Sequence, residues 1–355
     1  MRIGIDYSLA TATQRGMGRY IREIVKCLMD IDVENEYFLY TYYPIVSSKL
    51  NKNFYERHIP VKNEILSEQI FLPLFAKKDA LDVLWCPGNT FPLFLDSSIR
   101  LVVTIHDLIF LNPMRFAGKH SSFRQKIGRL YRKFIIKSGK NKIDRVVTVS
   151  EYSAKQIKLL LGIDEVSITY NRIDNFYKLK QQIAIDKKET DFYFTVSGDA
   201  PSKNLLYLIE IFKDYFPDEN LYIAGVPKSS ELRKLSGGNI LFLPMGMEDS
   251  EMMAYYSNCQ AFIFLSLQEG FGIPILEAMV CGAKIVCSNT TSLPEVLGNQ
   301  GILVNPLDIK AIVTAINNID SYKIDFVERE KFIEKFLKWN DSAVIVHNLL
   351  VETIS

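Results

Sequence analysis

Glu269-Gly270-Phe271-Gly272-Ile273-Pro274-Ile275-Leu276-Glu277-Ala278-Met279 follows the apolar run Ala261 to Leu265. A short apolar run, two glycines and a proline that opens a helix-period segment read as strand, turn and helix. Pro274 suits the first helical position, where a missing N–H leaves nothing unsatisfied. The amides of Gly272 and Ile273 are therefore expected to stand unpaired at the helix mouth, beyond the carboxyl edge of the strand. An anion is welcome there. Glu269 then lies on the loop, and Glu277 lies about one turn inside the helix with its side chain leaning back toward the mouth. Carboxylates accept hydrogen bonds and so suit the hydroxyls of a sugar and a ribose, while a phosphate between them would meet backbone amides. Taken singly, Glu277 could simply compensate the helix dipole and Glu269 could be a solvated loop charge. Both around one glycine turn point to a nucleotide sugar, with Gly270, Phe271, Gly272 and Ile273 as its binding loop.

The same rhythm of short apolar runs and helix-period segments extends in both directions, which predicts an α/β chain of parallel strands joined by crossover helices. In the first half the strand candidates are Arg2 to Asp6, Phe38 to Tyr42, Val83 to Trp85, Leu101 to Ile105, Val146 to Val149 and Ser167 to Tyr170. In the second they are Tyr193 to Ser197, Leu221 to Ala224, Ile240 to Leu243, Ala261 to Leu265, Lys284 to Cys287 and Gly301 to Val304. Each half can build its own Rossmann-like sheet. The expected division is a first domain over 1–177, a polar linker over 178–191, a second domain over 192–327, and a helical end over 328–355 that packs outside or bridges back to the first domain.

A length of 355 residues agrees with two domains, and 42 lysines and arginines against 41 acidic residues exclude a general nucleic-acid binder. The cysteines, Cys27, Cys86, Cys259, Cys281 and Cys287, are odd in number and form no Cys-x-x-Cys pair. That argues against a disulfide framework and a zinc knuckle, and for a reducing compartment. No secretory signal is visible at the start, and no apolar run approaches the ~20 residues of a membrane span. A cytoplasmic protein is expected.

After the first strand, a polar loop ends in Arg15-Gly16-Met17-Gly18-Arg19-Tyr20 and runs into a helix with Ile21, Ile24, Val25 and Leu28 on one face. Gly16 and Gly18 leave backbone amides approachable beside the positive end of a helix dipole, which suits phosphate; a plain tight turn is the alternative. A dinucleotide site is excluded. Ile21 occupies the third glycine position, the strand-to-glycine loop is too long, and Phe38-Leu39-Tyr40-Thr41-Tyr42 offers no acidic residue for a ribose.

The Glu269 to Glu277 segment resembles family 4 of the retaining glycosyltransferases, whose hallmark is two glutamates separated by seven residues in this setting. The resemblance extends through Cys281-Gly282-Ala283-Lys284-Ile285-Val286-Cys287-Ser288-Asn289, Ser292-Leu293-Pro294-Glu295-Val296 and Gly301-Ile302-Leu303-Val304-Asn305-Pro306. It implies a GT-B architecture of two facing Rossmann-like domains, Glu269 on the donor sugar, Glu277 on the ribose, and no metal or other cofactor. His106, in Val103-Thr104-Ile105-His106-Asp107-Leu108, follows a buried strand; on chemistry alone it could be a structural hydrogen-bonded pair with the aspartate. The resemblance places it beside the donor sugar, where it positions the reacting group. Lys203 follows a strand and opens a helix, so it can help hold a diphosphate. Many relatives add an arginine in that loop, but here Asp199 and Ser202 occupy the region, which leaves Arg15 or Arg19 as substitute cations, weak donor binding, or lost activity. A second departure is Asn171-Arg172, where relatives often have glycine after the asparagine. Asp30-Ile31-Asp32 is the one Asp-x-Asp in the chain and reads as a helix-ending turn rather than a metal site.

From Arg115 to Arg145 there are eleven lysines and arginines and one acid, Asp144, interleaved with Phe116, Phe123, Tyr131 and Phe134. If helical, this segment suits an anionic bilayer or a lipid-diphosphate acceptor, at about 1 kcal/mol for each cation near the surface; a solvated face is the alternative. The expected activity is transfer of a hexosyl unit, with a lean to mannose from GDP-mannose, onto a glycan or lipid-linked glycan in surface polysaccharide synthesis. The alternatives are a non-catalytic nucleotide-sugar-binding subunit and a nucleotide-sugar epimerase.

Overall fold

The computed structural model describes residues 1–12, 16–45, 50–111, 123–185 and 191–354. Its strands fall where apolar, β-branched residues run without interruption, as in β4, Val83-Leu84-Trp85-Cys86, whose four residues are all buried. Such runs are the mark of parallel strands covered by helices on both faces. The first sheet comprises β1 (Arg2–Asp6), β2 (Glu36–Thr41), β3 (Phe54–His58), β4 (Val83–Cys86), β5 (Arg100–Thr104), β6 (Arg145–Thr148) and β7 (Val166–Ile168). They are arranged in the order β3-β2-β1-β4-β5-β6-β7. The second comprises β8 (Phe192–Val196), β9 (Asn220–Ala224), β10 (Ile240–Phe242), β11 (Phe262–Phe264), β12 (Ile285–Ser288) and β13 (Ile302–Val304), in the order β10-β9-β8-β11-β12-β13. Every strand pair is parallel.

Over the described residues the chain divides into two compact units, one within residues 1–111, 123–172 and 338–354, the other within 173–337. The long division thus falls between Arg172 and Ile173, and a helix at Asp174–Gln182 belongs to the second unit. At the carboxyl end, helix Phe326–Glu334 belongs to the second unit and helix Trp339–Glu352 to the first. The latter packs on helix Met17–Ile31, with the Trp339 ring 6.0 Å from Tyr20 and His347 Nε2 donating to Asp32 Oδ2 over 2.9 Å. Asp32 ends that first helix, as its Asp-x-Asp setting suggested, and also receives the Tyr37 hydroxyl at 2.7 Å.

Three features depart from the sequence reading. Strand β3 was not anticipated, because Phe54-Tyr55-Glu56-Arg57-His58 is polar; it is an edge strand, where polarity is tolerated. Arg57 there pairs with Asp79 at 3.1 Å and lies over the Phe38 ring. The loop after β1 contains a short helix, Ser8–Ala12, before the glycines. Pro274 occupies the second helical position rather than the first, because the helix already begins at Ile273.

Candidate functional site

In an open parallel sheet, ligands bind outside the carboxyl ends of the strands where the strand order reverses. In the second unit that point lies between β8 and β11, and the loops after these two strands carry Lys203 and Glu269. After β8 the chain makes a tight turn over Pro201–Lys203, and Asn204, at φ 57°, redirects it into helix Leu205–Tyr215. After β11 the Leu267 amide donates to the Ser202 carbonyl over 2.8 Å, which ties the two loops together. Lys203 Nζ then meets Glu269 Oε1 at 2.6 Å, with the side chains 30% and 12% exposed. The cation assigned to a diphosphate and the acid assigned to a sugar are thus mutually paired at the switch point. Ser202, one of the positions where an arginine was sought, contributes its carbonyl to the tie between these loops.

The loop onward from Glu269 is held from behind by the segment after β12. The Glu269 amide donates to Thr291 Oγ1 at 3.2 Å, while buried Ser292 Oγ lies 3.1 Å from the Glu269 carbonyl and 2.8 Å from that of Phe271. These contacts give a structural role to Ser292, a residue quoted above only for resemblance. Gly272 adopts φ 111°, and a β-carbon there would lie 2.8 Å from Leu293 Cδ2. Conformation therefore favours glycine, and a β-carbon would in addition require Leu293 to shift. Helix Ile273–Val280 starts next; the Ile275 amide returns to the Gly272 carbonyl at 3.0 Å, Pro274 has no N–H, and the amides of Gly272 and Ile273 stand at the helix mouth, where the dipole favours an anion.

Glu277 is a buried acid. It is 4% exposed, and the Tyr256 hydroxyl donates to its Oε2 over 2.9 Å. Tyr256 lies 21 positions earlier, on helix Asp249–Asn258, and nothing in the local sequence linked the two.

In the first unit Gly16, at φ 63°, caps helix Met17–Ile31; a β-carbon there meets nothing within 4 Å, so only its conformation favours glycine. Gly18 and Arg19 are buried in the first turn, while Arg15 lies outside the described residues. His106 follows β5 and is 6% exposed. Its Nε2 lies 2.9 Å from the Pro87 carbonyl, its amide donates to Asn89 Oδ1 at 2.6 Å, and its ring stands edge-on to Tyr20 at 5.0 Å. A carbonyl only accepts, so Nε2 carries the proton and Nδ1 is the ring's acceptor. Burial lowers the imidazole pKa to about 4, against a smaller upward pull from the Pro87 carbonyl, so the ring is neutral at physiological pH. It can accept a hydrogen bond from a hydroxyl but is no general acid. Asp107 instead accepts from the Ile109 amide at 3.0 Å.

Over its described part the basic stretch forms helix Phe123–Gly139, a turn at Lys140–Lys142 and the start of β6, while 112–122 lie outside the described residues. Ile135 and Ile136 are buried, but Ile127, Leu130 and Phe134 are 43%, 66% and 60% exposed. Their spacing of three and four puts them on one outward face. Exposed Lys126 and Lys137 and partly exposed Lys133 border that face. On its inner side the Tyr131 hydroxyl donates to Glu68 Oε1 at 2.7 Å.

Two family models match this chain: Glycosyltransferase Family 4 over residues 14–175 and Glycosyl transferases group 1 over residues 176–339. The O-antigen chain mannosyltransferase RfbU of Salmonella typhimurium is 27% identical over 75% of this chain and 72% of its own. The serotype-specific mannosyltransferase WbdA of Escherichia coli is 28% identical over 60% of this chain, which spans only 28% of that longer protein. Among solved structures, sucrose-phosphate synthase from Thermosynechococcus elongatus shares the fold with a TM-score of 0.72 at 14% identity, over 99% of this chain and 98% of that one. With the two family models together accounting for residues 14–339 and both sheets built as described, the chain belongs to the group 1 and family 4 glycosyltransferases of GT-B fold.

Proposed function

We propose that this glycosyltransferase moves a hexosyl unit, with mannose favoured, from a nucleoside diphosphate sugar to a glycan or lipid-linked glycan acceptor in surface polysaccharide synthesis. The observation that carries the reading is the Lys203 and Glu269 pair at the switch point of the second sheet, beside the helix mouth at Gly272. The Salmonella and Escherichia mannosyltransferases support the choice of sugar and pathway class.

In this reading the diphosphate rests on the amides of Gly272 and Ile273 and draws Lys203 away from Glu269. The freed carboxylate then accepts from hydroxyls of the donor sugar, and Glu277 accepts from the ribose. Fixed amides and an ammonium stabilise the negative charge that grows on the leaving diphosphate, which is where an enzyme gains most from preorganised electrostatics. Positive charge at the phosphates comes from the protein, so no metal is required. The Asp-x-Asp motif supports this, because Asp32 is engaged by Tyr37 and His347 at the far end of its helix. Neutral His106 positions a sugar hydroxyl through Nδ1, and the Gly16 and Gly18 turn of the first unit contributes to binding. Retention follows if the acceptor attacks from the face the diphosphate leaves, with the leaving phosphate oxygen taking the acceptor proton; no dedicated base is needed.

A thermal-shift panel of UDP, GDP, ADP and dTDP sugars tests the donor, since a ligand specific for the native state at a hundred times its Kd adds about 2.7 kcal/mol of stability. The expected result is a rise in Tm with GDP-mannose and release of GDP when acceptor is added. Binding without release in any acceptor mixture would identify a non-catalytic subunit, and an isomerised donor would identify an epimerase.

The enzyme is proposed to work at the cytoplasmic face of a membrane, docked through the basic helix. No helix among the described residues is long and apolar enough to cross a bilayer. The exposed Ile127, Leu130 and Phe134 face with its bordering lysines is suited to lie in the interface of an anionic one. Replacing Leu130 and Phe134 together with serine is expected to weaken co-sedimentation with phosphatidylglycerol vesicles by about tenfold or more, from the apolar area withdrawn. Unchanged sedimentation would remove the docking role from this helix.

A further inference from the structure

Glu277 is an ionisable side chain almost withdrawn from water, and a buried carboxylate needs donors placed for it. One is the Tyr256 hydroxyl, 2.9 Å from Oε2. Tyr256 is itself fully buried, and its ring is gripped edge-on by Phe194 and Phe262, each at 5.1 Å, and by Phe176 at 6.4 Å. These rings come from β8, β11 and helix Asp174–Gln182, the first two being the strands that flank the switch point. The helix that carries Tyr256 is fixed at its start by a reciprocal capping box between Glu248 and Glu251. Nothing in this surround lets the phenol swing, so its O–H direction is set by the core of the second unit.

We propose that Tyr256 is a positioning residue for nucleotide recognition: by holding Oε2 of Glu277 it fixes the rotation of the carboxylate that accepts from the ribose hydroxyls. The inference rests on the reading of Glu277 as the ribose contact and adds a residue that touches no substrate. A carboxylate whose rotation is set before the ligand arrives loses less freedom on binding and discriminates more sharply between a ribose and a deoxyribose. A freely rotating one would still bind, but with less regard to which hydroxyl is present.

The test is calorimetric binding to the full chain of GDP and UDP and of their 2′-deoxy and 3′-deoxy counterparts, using the base that binds more tightly. The variants are Tyr256→Phe, Glu277→Ala and the two combined. Tyr256→Phe keeps the ring and its aromatic contacts, and a thermal melt confirms that the fold is kept. The expected result is that Tyr256→Phe raises Kd for the ribonucleotide by about three- to tenfold and reduces the preference for it over one deoxy form by a similar factor, the scale of the net worth of one ordinary hydrogen bond. In the combined variant the phenylalanine adds no further loss of affinity, because its target is gone. In steady state the same change appears in KM, with kcat little altered. An unchanged ribose preference in Tyr256→Phe, or an additive loss in the combined variant, overturns the proposal even if Glu277→Ala weakens binding. If Glu277→Ala leaves both affinity and ribose preference untouched, or the unaltered chain binds neither base, the reading of the ribose contact fails and the proposal falls with it.

Discussion

Replacement of Glu269 by alanine is expected to lower glycosyl transfer by about a hundred- to a thousandfold while tightening the binding of the nucleoside diphosphate product, the first figure being typical for loss of one group that acts on the transition state. The two effects have opposite signs because of the pair at 2.6 Å. In the free chain Glu269 neutralises Lys203, so a diphosphate must displace a carboxylate before it gains the ammonium. Without the carboxylate, Lys203 is left seeking an anion in a loop where it is only 30% exposed, and the diphosphate meets it unopposed. The donor sugar, by contrast, loses its acceptor and with it the orientation that transfer requires. Lys203→Met gives the complementary pattern, with diphosphate binding weakened by about tenfold or more, as for a lost charge-assisted contact. Calorimetry with the diphosphate alone and transfer assays with the donor separate the two roles. If both variants weaken the diphosphate equally, the pair is a structural bridge and not a competition for the ligand.

The part of this site legible in the sequence is the part written in consecutive residues. Glu269, Gly272 and the helix start lie within one strand-turn-helix unit, so glycine and proline punctuation fixed their relation to the sheet edge without any knowledge of the rest. Lys203 was legible for the same reason, as the residue that ends one strand loop. Its pairing with Glu269 was not, because 66 positions separate them and only the strand order β8-β11 makes them neighbours. Tyr256 was invisible because a tyrosine on a helix gives no sign of which carboxylate it will meet. In the fold, buried strands such as β4 declared themselves through unbroken apolar runs, whereas edge strand β3 did not, its alternate residues being exposed. The exposed face of Ile127, Leu130 and Phe134 was masked by the cations among which it is interleaved. Only the packing of Ile135 and Ile136 shows which apolar residues of that helix are left outside.

Gly272→Ala is the second change expected to have a large effect, and Gly16→Ala provides its internal control. Both glycines cap helices with positive φ, 111° at Gly272 and 63° at Gly16, so alanine is strained at either position by about 1–2 kcal/mol. At Gly16 the added methyl enters open space, and the cost stops at strain. At Gly272 it would approach to 2.8 Å of Leu293 Cδ2, on a leucine that is itself fully buried. That collision adds about 1–3 kcal/mol, as for other overpacked sites, so Gly272→Ala is expected to lose about 2–5 kcal/mol in urea unfolding. The structure can escape the collision only by moving Leu293 or by turning the Gly272 peptide. Turning it would swing the donors at the helix mouth away from the phosphate, so donor affinity should fall along with stability. Trimming the obstacle tells the two routes apart. In Gly272→Ala with Leu293→Ala the methyl fits, so the double variant should be more stable than the sum of the single losses by about 1–3 kcal/mol, the coupling of residues in contact. If donor binding returns with it, backbone rotation was the route taken. If binding stays lost while stability recovers, the positive φ of Gly272 itself holds the amides in line with the phosphate. Stability and binding in Gly272→Ala no worse than in Gly16→Ala would mean that this turn relaxes freely and that no such close packing shapes the helix mouth.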